Sequence, residues 1–575
     1  MTNPAAAGLA DSSQSRSMAR QATVDGEWWR AAVAYQIYPR SFADSNGDGV
    51  GDLPGIIDHL DHLAGRPDSL GVDAIWLSPI YPSPGLDGGY DVADHAGVDP
   101  LFGTMADFDR LVGEAHRRGL KVLLDLVLNH TSDRHAWFQE SRRSRDNPRA
   151  DWYVWHDPAG WSRRRPVPPN NWLSFFGGSA WEWEPARGQF YLHTFLPQQP
   201  DVNWREPAAA EAQLAMVRGW LARGVDGFRL DVFNALLKDP ELRSNPRRWQ
   251  LSRRPWDRQW HVYDKDRPDF PALIARFRAV VDEAPGRMSV GELFAGDLSQ
   301  AAAYTNGHHL VFDFGLLERP WSAEAIGREI DRREAAFGPD RWPAVVLSNH
   351  DRSRHVSRFL RDLGRDDEAT ADRVARAAAV LLLTLRGTPF LYYGEELGLP
   401  DIRVARVAIM DPPARRAGFF FPWWNRDQCR SPMPWAAGPG AGFTNGRPWL
   451  PLSPDHDRRN VASEAADPGS VQNAYRRLLA VRRGSAALER GSFTRLATGS
   501  RDVLAYERRS GAERAVVAIN FALEPRDLTP PAGSWSVRYS TNEPDGAAVA
   551  PFGPGSRRLA GLEAVILANA ESASR

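Results

Sequence analysis

The 575-residue sequence holds a single cysteine, Cys429. No internal disulfide can form and no thiolate cluster can hold a metal, which suits a reducing compartment. Nor does any run approach the ~18 consecutive apolar residues of a membrane-spanning helix, so insertion in a membrane is excluded. Lysine is scarce: Lys121, Lys238 and Lys265 are the only ones, and nearly all of the 71 basic residues are Arg. An excess of one charge is missing too, because 72 acidic residues bring the formal net charge to −1. The charges are interspersed, and without a basic stripe the chain lacks what binding to DNA or RNA phosphates requires. The first 25 residues have no apolar stretch long enough for a signal peptide and read as a disordered leader. The expected location is the cytoplasm. Internal repeats and long low-complexity segments are absent.

At roughly 150 residues per domain the length allows three or four units, or one large barrel with appendages. From residue 26 onward, β-branched or apolar runs alternate with amphipathic segments, the pattern of parallel strands joined by helices. Eight candidate strands can be read at 33–42, 72–80, 121–129, 227–232, 287–293, 310–314, 343–349 and 388–397. Helical patterns sit between several of them, as in MADFDRLVGEAHRRG and AAAEAQLAMVRGWLARG. The expected fold is α/β, a (β/α)8 barrel spanning 26–130 and 206–487.

About a hundred residues separate the third and fourth candidates, against the usual ~30 of a βαβ unit. A loop-rich subdomain rich in Trp, Pro, Gly and Asn is therefore expected at 131–205, inserted after strand 3. Further excursions at about 239–269 and 399–460 would overhang the same end of the barrel. After VQNAYRRLLAVRRG the texture changes to short alternating strands with Gly/Pro turns. Residues 488–575 are expected to form a small C-terminal antiparallel β domain, a β-sandwich.

In such a barrel the catalytic groups project from the C-terminal ends of strands. The polar residues closing the candidate strands are Asp125 and His130 in DLVLNH, Arg229 and Asp231 in GFRLDV, Glu292 in GEL, and His350 and Asp351 in SNHD. A pair of carboxyl groups flanking a sugar bond is what glycoside hydrolysis needs, one to attack and one to protonate the leaving oxygen. Arg229, two residues before Asp231 on a period-2 strand, points to the same face and is expected to help keep Asp231 ionised. The histidines would bond sugar hydroxyls. Asp125 is read as structural, orienting its neighbours.

Taken together, DLVLNH, QPDVNW, GFRLDVFN, GEL and SNHD resemble the five short segments of glycoside hydrolase family 13, the α-amylase superfamily. The opening WWRAAVAYQIYPRSFADSNGDGVGDLPGI, with GGYD and HTSDRHAWF, is similar to its α-glucosidase and oligo-1,6-glucosidase branch. The resemblance covers roughly residues 26–570. It implies a retaining double displacement with Asp231 as nucleophile, Glu292 as general acid/base and Asp351 as transition-state stabiliser. It also implies sugar contacts from Asp87, Tyr90, His130, Arg229, His350 and, in CRSPMPW, Arg430. No organic cofactor is required.

The segment DSNGDGVGD sets Asp44, Asn46, Asp48 and Asp52 at alternating positions with glycines between, an oxygen-rich loop suited to a hard cation. Structural Ca2+ is the expected guest, and Mg2+ is tolerable. An EF-hand is ruled out because Gly55 stands where a bidentate Glu is needed. The resembled branch adds the Val50 carbonyl to the ligand set. A metal-free Asx/Gly turn is the alternative.

The resulting reading is an exo-acting α-glucosidase releasing terminal α-linked glucose from short oligosaccharides of the maltose or sucrose type, with isomaltose also possible as a substrate. Val232, after Asp231, leans toward α-1,6 linkages, whereas VFNALLKDPELRSNP is closer to broad α-glucosidases. A transglucosylase or a sucrose/trehalose isomerase would use the same intermediate. Transporter-associated relatives of this fold are membrane-anchored and lack the full catalytic set, which this chain retains.

Overall fold

A computed structural model of the chain describes residues 26–569 apart from 253, 295, 412–413, 416–424, 544–550 and 553–555. The expected leader, residues 1–25, lies outside the described residues, as does part of the 399–460 excursion. Among the described residues no helix is long and apolar enough to cross a membrane.

Eight parallel strands close a barrel: β1 (Ala34–Ile37), β2 (Ala74–Leu77), β3 (Lys121–Leu126), β4 (Gly227–Leu230), β5 (Met288–Gly291), β6 (Leu310–Asp313), β7 (Ala344–Val346) and β8 (Thr388–Tyr392). Each falls within one of the eight sequence segments. The strands read as almost continuous apolar runs because both faces are buried. Alternation survives as a division of labour. Ala74, Trp76, Leu310, Phe312, Ala344 and Val346 fill the barrel interior, while Ile75, Leu77, Val122 and Leu124 pack outward with the helices. Gly227 on β4 is obligatory: a Cβ there would lie 2.2 Å from the Met288 carbonyl oxygen of β5.

The surrounding helices include α1 (Met105–Arg117), α2 (Pro207–Ala222), α3 (Phe270–Val281), α4 (Ala323–Phe337), α5 (Glu368–Thr384) and α6 (Val471–Arg483). Helix α1 shows why they form. Thr104 and Asp107 make a reciprocal capping box, and Phe108, Leu111, Val112 and Ala115 place one apolar stripe against the core. Helix α2 starts on Pro207, whose missing N–H costs nothing at a first turn.

The insert between β3 and β4 is less loop-like than its composition suggests. It contains a three-stranded sheet (Trp155–His156, Gln189–Leu192, Trp181–Glu184) and a ribbon (Gly160–Ser162 with Arg165–Val167) around its own aromatic cluster of Trp172, Trp181 and Phe190. Strands of two to four residues are too short to display a period. A bridge from His130 to Asp201 ties the insert to the end of β3, and one from Tyr153 to Val202 closes the insert on itself.

C-terminally, β9 (Ser492–Leu496), β10 (Val503–Ser510), β11 (Glu513–Asn520), β12 (Arg526–Leu528), β13 (Trp535–Ser540), β14 (Pro551–Phe552), β15 (Arg557–Leu559) and β16 (Ala564–Asn569) build the β domain. Six form an antiparallel sheet in the order β9-β10-β11-β16-β13-β14, and β12 pairs with β15. Leu528 and Leu559 of that ribbon cover one face of the sheet with Val503, Val516 and Val565. On the barrel side, Tyr506 reaches Thr384 at the end of α5, oxygen to oxygen at 2.5 Å.

Candidate active site

Barrel register brings the acidic residues to one level. Leu230 pairs with Gly291 across β4 and β5, so the next residues, Asp231 and Glu292, emerge side by side. Their backbone N–H groups are held by Leu126 O at 2.9 Å and Leu230 O at 2.8 Å. Val232 then takes a left-handed conformation (φ 39°, ψ 39°), an outlier for a β-branched residue and the kind of strain that active sites hold. Gly291 is required beside it, because a Cβ would come within 2.5 Å of the Phe233 ring.

Arg229 is the hub. Its Nη1 donates to Asp125 at 2.6 Å and to Asp231 at 2.9 Å, and its Nη2 contacts Glu292. The two terminal nitrogens of one guanidinium thus hold two carboxyl groups at the same end of the barrel, the paired arrangement that glycoside hydrolysis uses.

Behind it runs a buried chain of directed hydrogen bonds. Gln36 Nε2 donates to His350 Nδ1 at 2.7 Å, which leaves the proton on Nε2 to be given to Tyr90 Oη at 2.7 Å. Tyr90 in turn donates to Asp125 at 3.0 Å. Burial drives the His350 ring down to about 3, in keeping with this neutral tautomer. His130 is likewise pushed down to about 4 by burial and bonds the Tyr90 carbonyl at 3.2 Å.

Asp351 closes the opposite side. Arg430 Nη2 donates to it at 2.9 Å and Arg426 Nη1 at 3.3 Å, while Arg430 Nε holds the His350 carbonyl at 2.7 Å. Burial pushes this carboxyl up, but the His350 ring and the two guanidinium groups outweigh it and hold Asp351 well below the usual carboxylate range. With His350 neutral, the arginines carry the effect. Arg426 also donates to Asp87 at 2.7 Å and to Asp411 at 2.9 Å. Asp87 nevertheless rises to about 6, burial exceeding the ion pair.

Arg229 pairs with Asp231 and draws that carboxyl toward its ionised form, as expected, but burial outweighs it. Burial, with Asp125, Asp351 and Asp87 adding like charge, pushes Asp231 up to about 7 against the guanidinium. The reason is sharing: three carboxyl groups divide Arg229, and six (Asp87, Asp125, Asp231, Glu292, Asp351, Asp411) divide the three arginines. Such a cluster cannot be fully ionised in a buried site.

The cavity at this end of the barrel has a volume of about 870 Å³. Asp87, Tyr90, His130, Asp231, Glu292 and Asp351 line it. Arg229, His350 and Arg430 stand behind that wall and act through the residues that do. Sequence reasoning missed Arg426 and Asp411, as well as Gln199, whose amide donates to Asp87 at 3.1 Å. Gln199 opens the QPDVNW segment and Arg426 lies four residues before Arg430, so their positions carried a usable signal. Asp411 carried none.

The loop at 44–52 is held by its own side-chain oxygens. Asp44 accepts from the N–H groups of Asn46, Gly47 and Gly49, Asn46 from that of Asp48, and Asp48 from that of Val50. Asp52 is spent on Gly55 N–H, capping the helix Leu53–Asp58, and on Ser45. Among the described residues no three His, Cys, Asp or Glu side chains gather at a metal-binding spacing. The Asp44 and Asp48 carboxylates, the Asn46 amide oxygen and the Val50 carbonyl are oxygen donors of the chemistry that a hard cation takes.

Comparison with known proteins places this arrangement. The model of the α-amylase catalytic domain matches residues 36–491. A probable α-glucosidase of Rhizobium meliloti (strain 1021) is 46% identical over 515 residues, 87% of this chain and 90% of that protein. An oligo-1,6-glucosidase of Heyndrickxia coagulans is 36% identical, with 90% and 97% covered. The crystal structure of the α-glucosyl transfer enzyme XgtA superposes with a TM-score of 0.86 at 45% identity, covering 94% of this chain and 99% of that one.

Proposed function

The chain belongs to the α-amylase catalytic-domain family, and on that premise we propose that it is a retaining, exo-acting α-glucosidase releasing terminal glucose from short α-linked oligosaccharides. The observation that carries the reading is Arg229 holding Asp231 and Glu292 together at the floor of a walled cavity. Glucosidase relatives support the same substrate class.

In this reading Asp231 attacks the anomeric carbon while Glu292 protonates the departing oxygen. The resulting glucosyl ester is hydrolysed by a water whose proton returns to Glu292. Asp351, kept ionised by Arg426 and Arg430, faces the positive charge that develops on the sugar. Asp87, Tyr90 and His130 form the polar pocket for the terminal residue. Ca2+ would be held by Asp44, Asn46, Asp48 and the Val50 carbonyl, with Asp52 anchoring the loop; it would tie the loop together and take no part in the reaction. One buried cysteine supports a cytoplasmic location.

The test is a timed product profile on maltose, isomaltose, sucrose and trehalose supplied separately, with Asp231→Asn as the blank. Glucose from one or two of them is expected and fixes the linkage. Rearranged disaccharides as main products would replace hydrolysis by isomerisation.

A further inference from the structure

Two surface tips join basic charge to apolar side chains left bare to water. In the insert, the ribbon of Gly160–Ser162 and Arg165–Val167 turns through Arg163 and Arg164, both left-handed (φ 48° and 65°) where a two-residue turn ordinarily takes Asn or Gly. Trp161 stands 64% exposed on that ribbon, with Arg163, Arg164 and Arg165 exposed beside it. In the excursion after β4, Arg248 N–H donates to Arg258 O and Trp260 N–H to Pro246 O, both at 2.8 Å. The tip so closed carries Trp249 at 96% exposure, a fully exposed Leu251, and Trp260 and Val262 about half exposed. Folding sets the two segments on one lobe: Asn171 and Asn245 exchange two hydrogen bonds at 2.9 Å, and Gln259 Nε2 donates to the Asn171 carbonyl at 2.6 Å. Residues 160–167 and 245–262 hold eight arginines and one acidic residue, Asp257, in a chain of net charge −1. Arg254 takes that carboxylate. Among the described residues the other exposed arginines of the lobe form no ion pair: Arg248 lies over the Trp260 ring at 4.5 Å, and Arg258 donates to the Ser252 carbonyl at 2.7 Å.

Charge of one sign beside bare apolar groups selects among partners. Aliphatic Leu251 and Val262 gain nothing from stacking on nucleobases, a second copy placed face to face would set arginines against arginines, and a neutral glucan offers the guanidinium groups no charge. A bilayer of anionic phospholipid satisfies every feature at once, with phosphates for Arg, the interfacial layer for Trp and the acyl boundary for Leu. We propose that this lobe docks the protein on anionic phospholipid surfaces, with Trp161, Trp249 and Trp260 at headgroup level and Leu251 at the acyl boundary. Such docking needs no spanning helix and is reversible, since shallow apolar burial and charge act without a lipid anchor. Ser252 and Arg254 of the same tip line the catalytic cavity, so a docked molecule holds its barrel mouth beside the bilayer.

The experiment sediments the full chain with vesicles of phosphatidylcholine alone and with vesicles of phosphatidylcholine and phosphatidylglycerol in equal parts, at low and at high salt. Partition onto the anionic vesicles should exceed that onto the neutral ones by about tenfold or more at low salt and fall as salt rises. Trp249→Ser with Leu251→Ser should weaken it about tenfold, and so should Arg247→Gln with Arg248→Gln, each with the melting curve unchanged because all four side chains are exposed. No binding, equal partition onto both vesicles, or binding that neither pair of substitutions weakens would overturn the proposal. A dimer in sedimentation velocity that Trp249→Ser with Leu251→Ser dissolves would overturn it in favour of a second copy, and a single-stranded oligonucleotide bound more tightly than the vesicles would do so in favour of nucleic acid. The comparison of the two vesicles with the unaltered protein decides the matter even where a variant does not fold.

Discussion

Buried arginines occupy both ends of the barrel and behave in opposite ways. At the mouth, Arg229, Arg426 and Arg430 meet carboxylates, which hold them charged against burial. At the far end, where α5 turns into β8, Arg508 donates to the carbonyls of Thr384, Gly491 and Ser492, and Arg482 to those of Leu383 and Leu488. Burial lowers Arg482 to about 10 and Arg508 to about 9. The residue type is the same and the partners differ. Carbonyls let a guanidinium fasten the C-terminal domain to the barrel, while carboxylates make it tune reactive groups. What marks a site is therefore the company of the charge, not its burial.

The contrast can be broken most severely at the mouth. Asp231→Asn removes the nucleophile and should lower kcat by at least about 10³-fold with the melting curve preserved. Arg229→Met should reduce kcat/KM by about 10²-fold or more, since it orients both reacting carboxyl groups. Its pH profile adds a sharper reading. In the unaltered enzyme Asp231 takes up a proton as pH falls through about 7, so kcat/KM should decline on the acid side. Because Arg229 pulls that value down, its removal should move the acid limb to higher pH. A limb that stays in place would show that Asp231 does not govern it.

At the far end the expected effects are on stability. Arg508→Met leaves three carbonyls without their donor and should cost about 3 kcal/mol in unfolding free energy, read by denaturant titration, while kcat stays within about twofold. An equal loss of kcat would erase the distinction between the two ends. The smallest effect is expected at the 44–52 loop. Chelation, or Asp48→Ala in the presence of calcium, should lower Tm by a few degrees with kcat at low temperature retained, and an unchanged Tm would favour the metal-free turn.

Legibility in the sequence followed locality. All eight strands were readable because burial on both faces writes a continuous apolar run, and Asp231, Glu292 and Asp351 could be found because each closes such a run. The sharing of Arg229 by Asp125, Asp231 and Glu292 could not be read, since a guanidinium with three carboxyl partners from three strands has no sequence signature. An aromatic cluster beside the cavity escaped for the same reason: Phe175 and Phe176 come from the insert, Trp256 from the excursion after β4 and Phe294 from the end of β5. The small sheets of the insert were hidden by their brevity.

The central claim, a covalent glucosyl intermediate on Asp231, is tested most directly with Glu292→Gln and α-glucosyl fluoride. The fluoride needs no protonation to leave, so the intermediate forms, while the water that would discharge it has lost its base. Intact-protein mass spectrometry should show one added glucosyl unit, and peptide mapping should place it on Asp231. A glucosyl unit on another residue, or β-glucose as the first product without any adduct, would contradict the account.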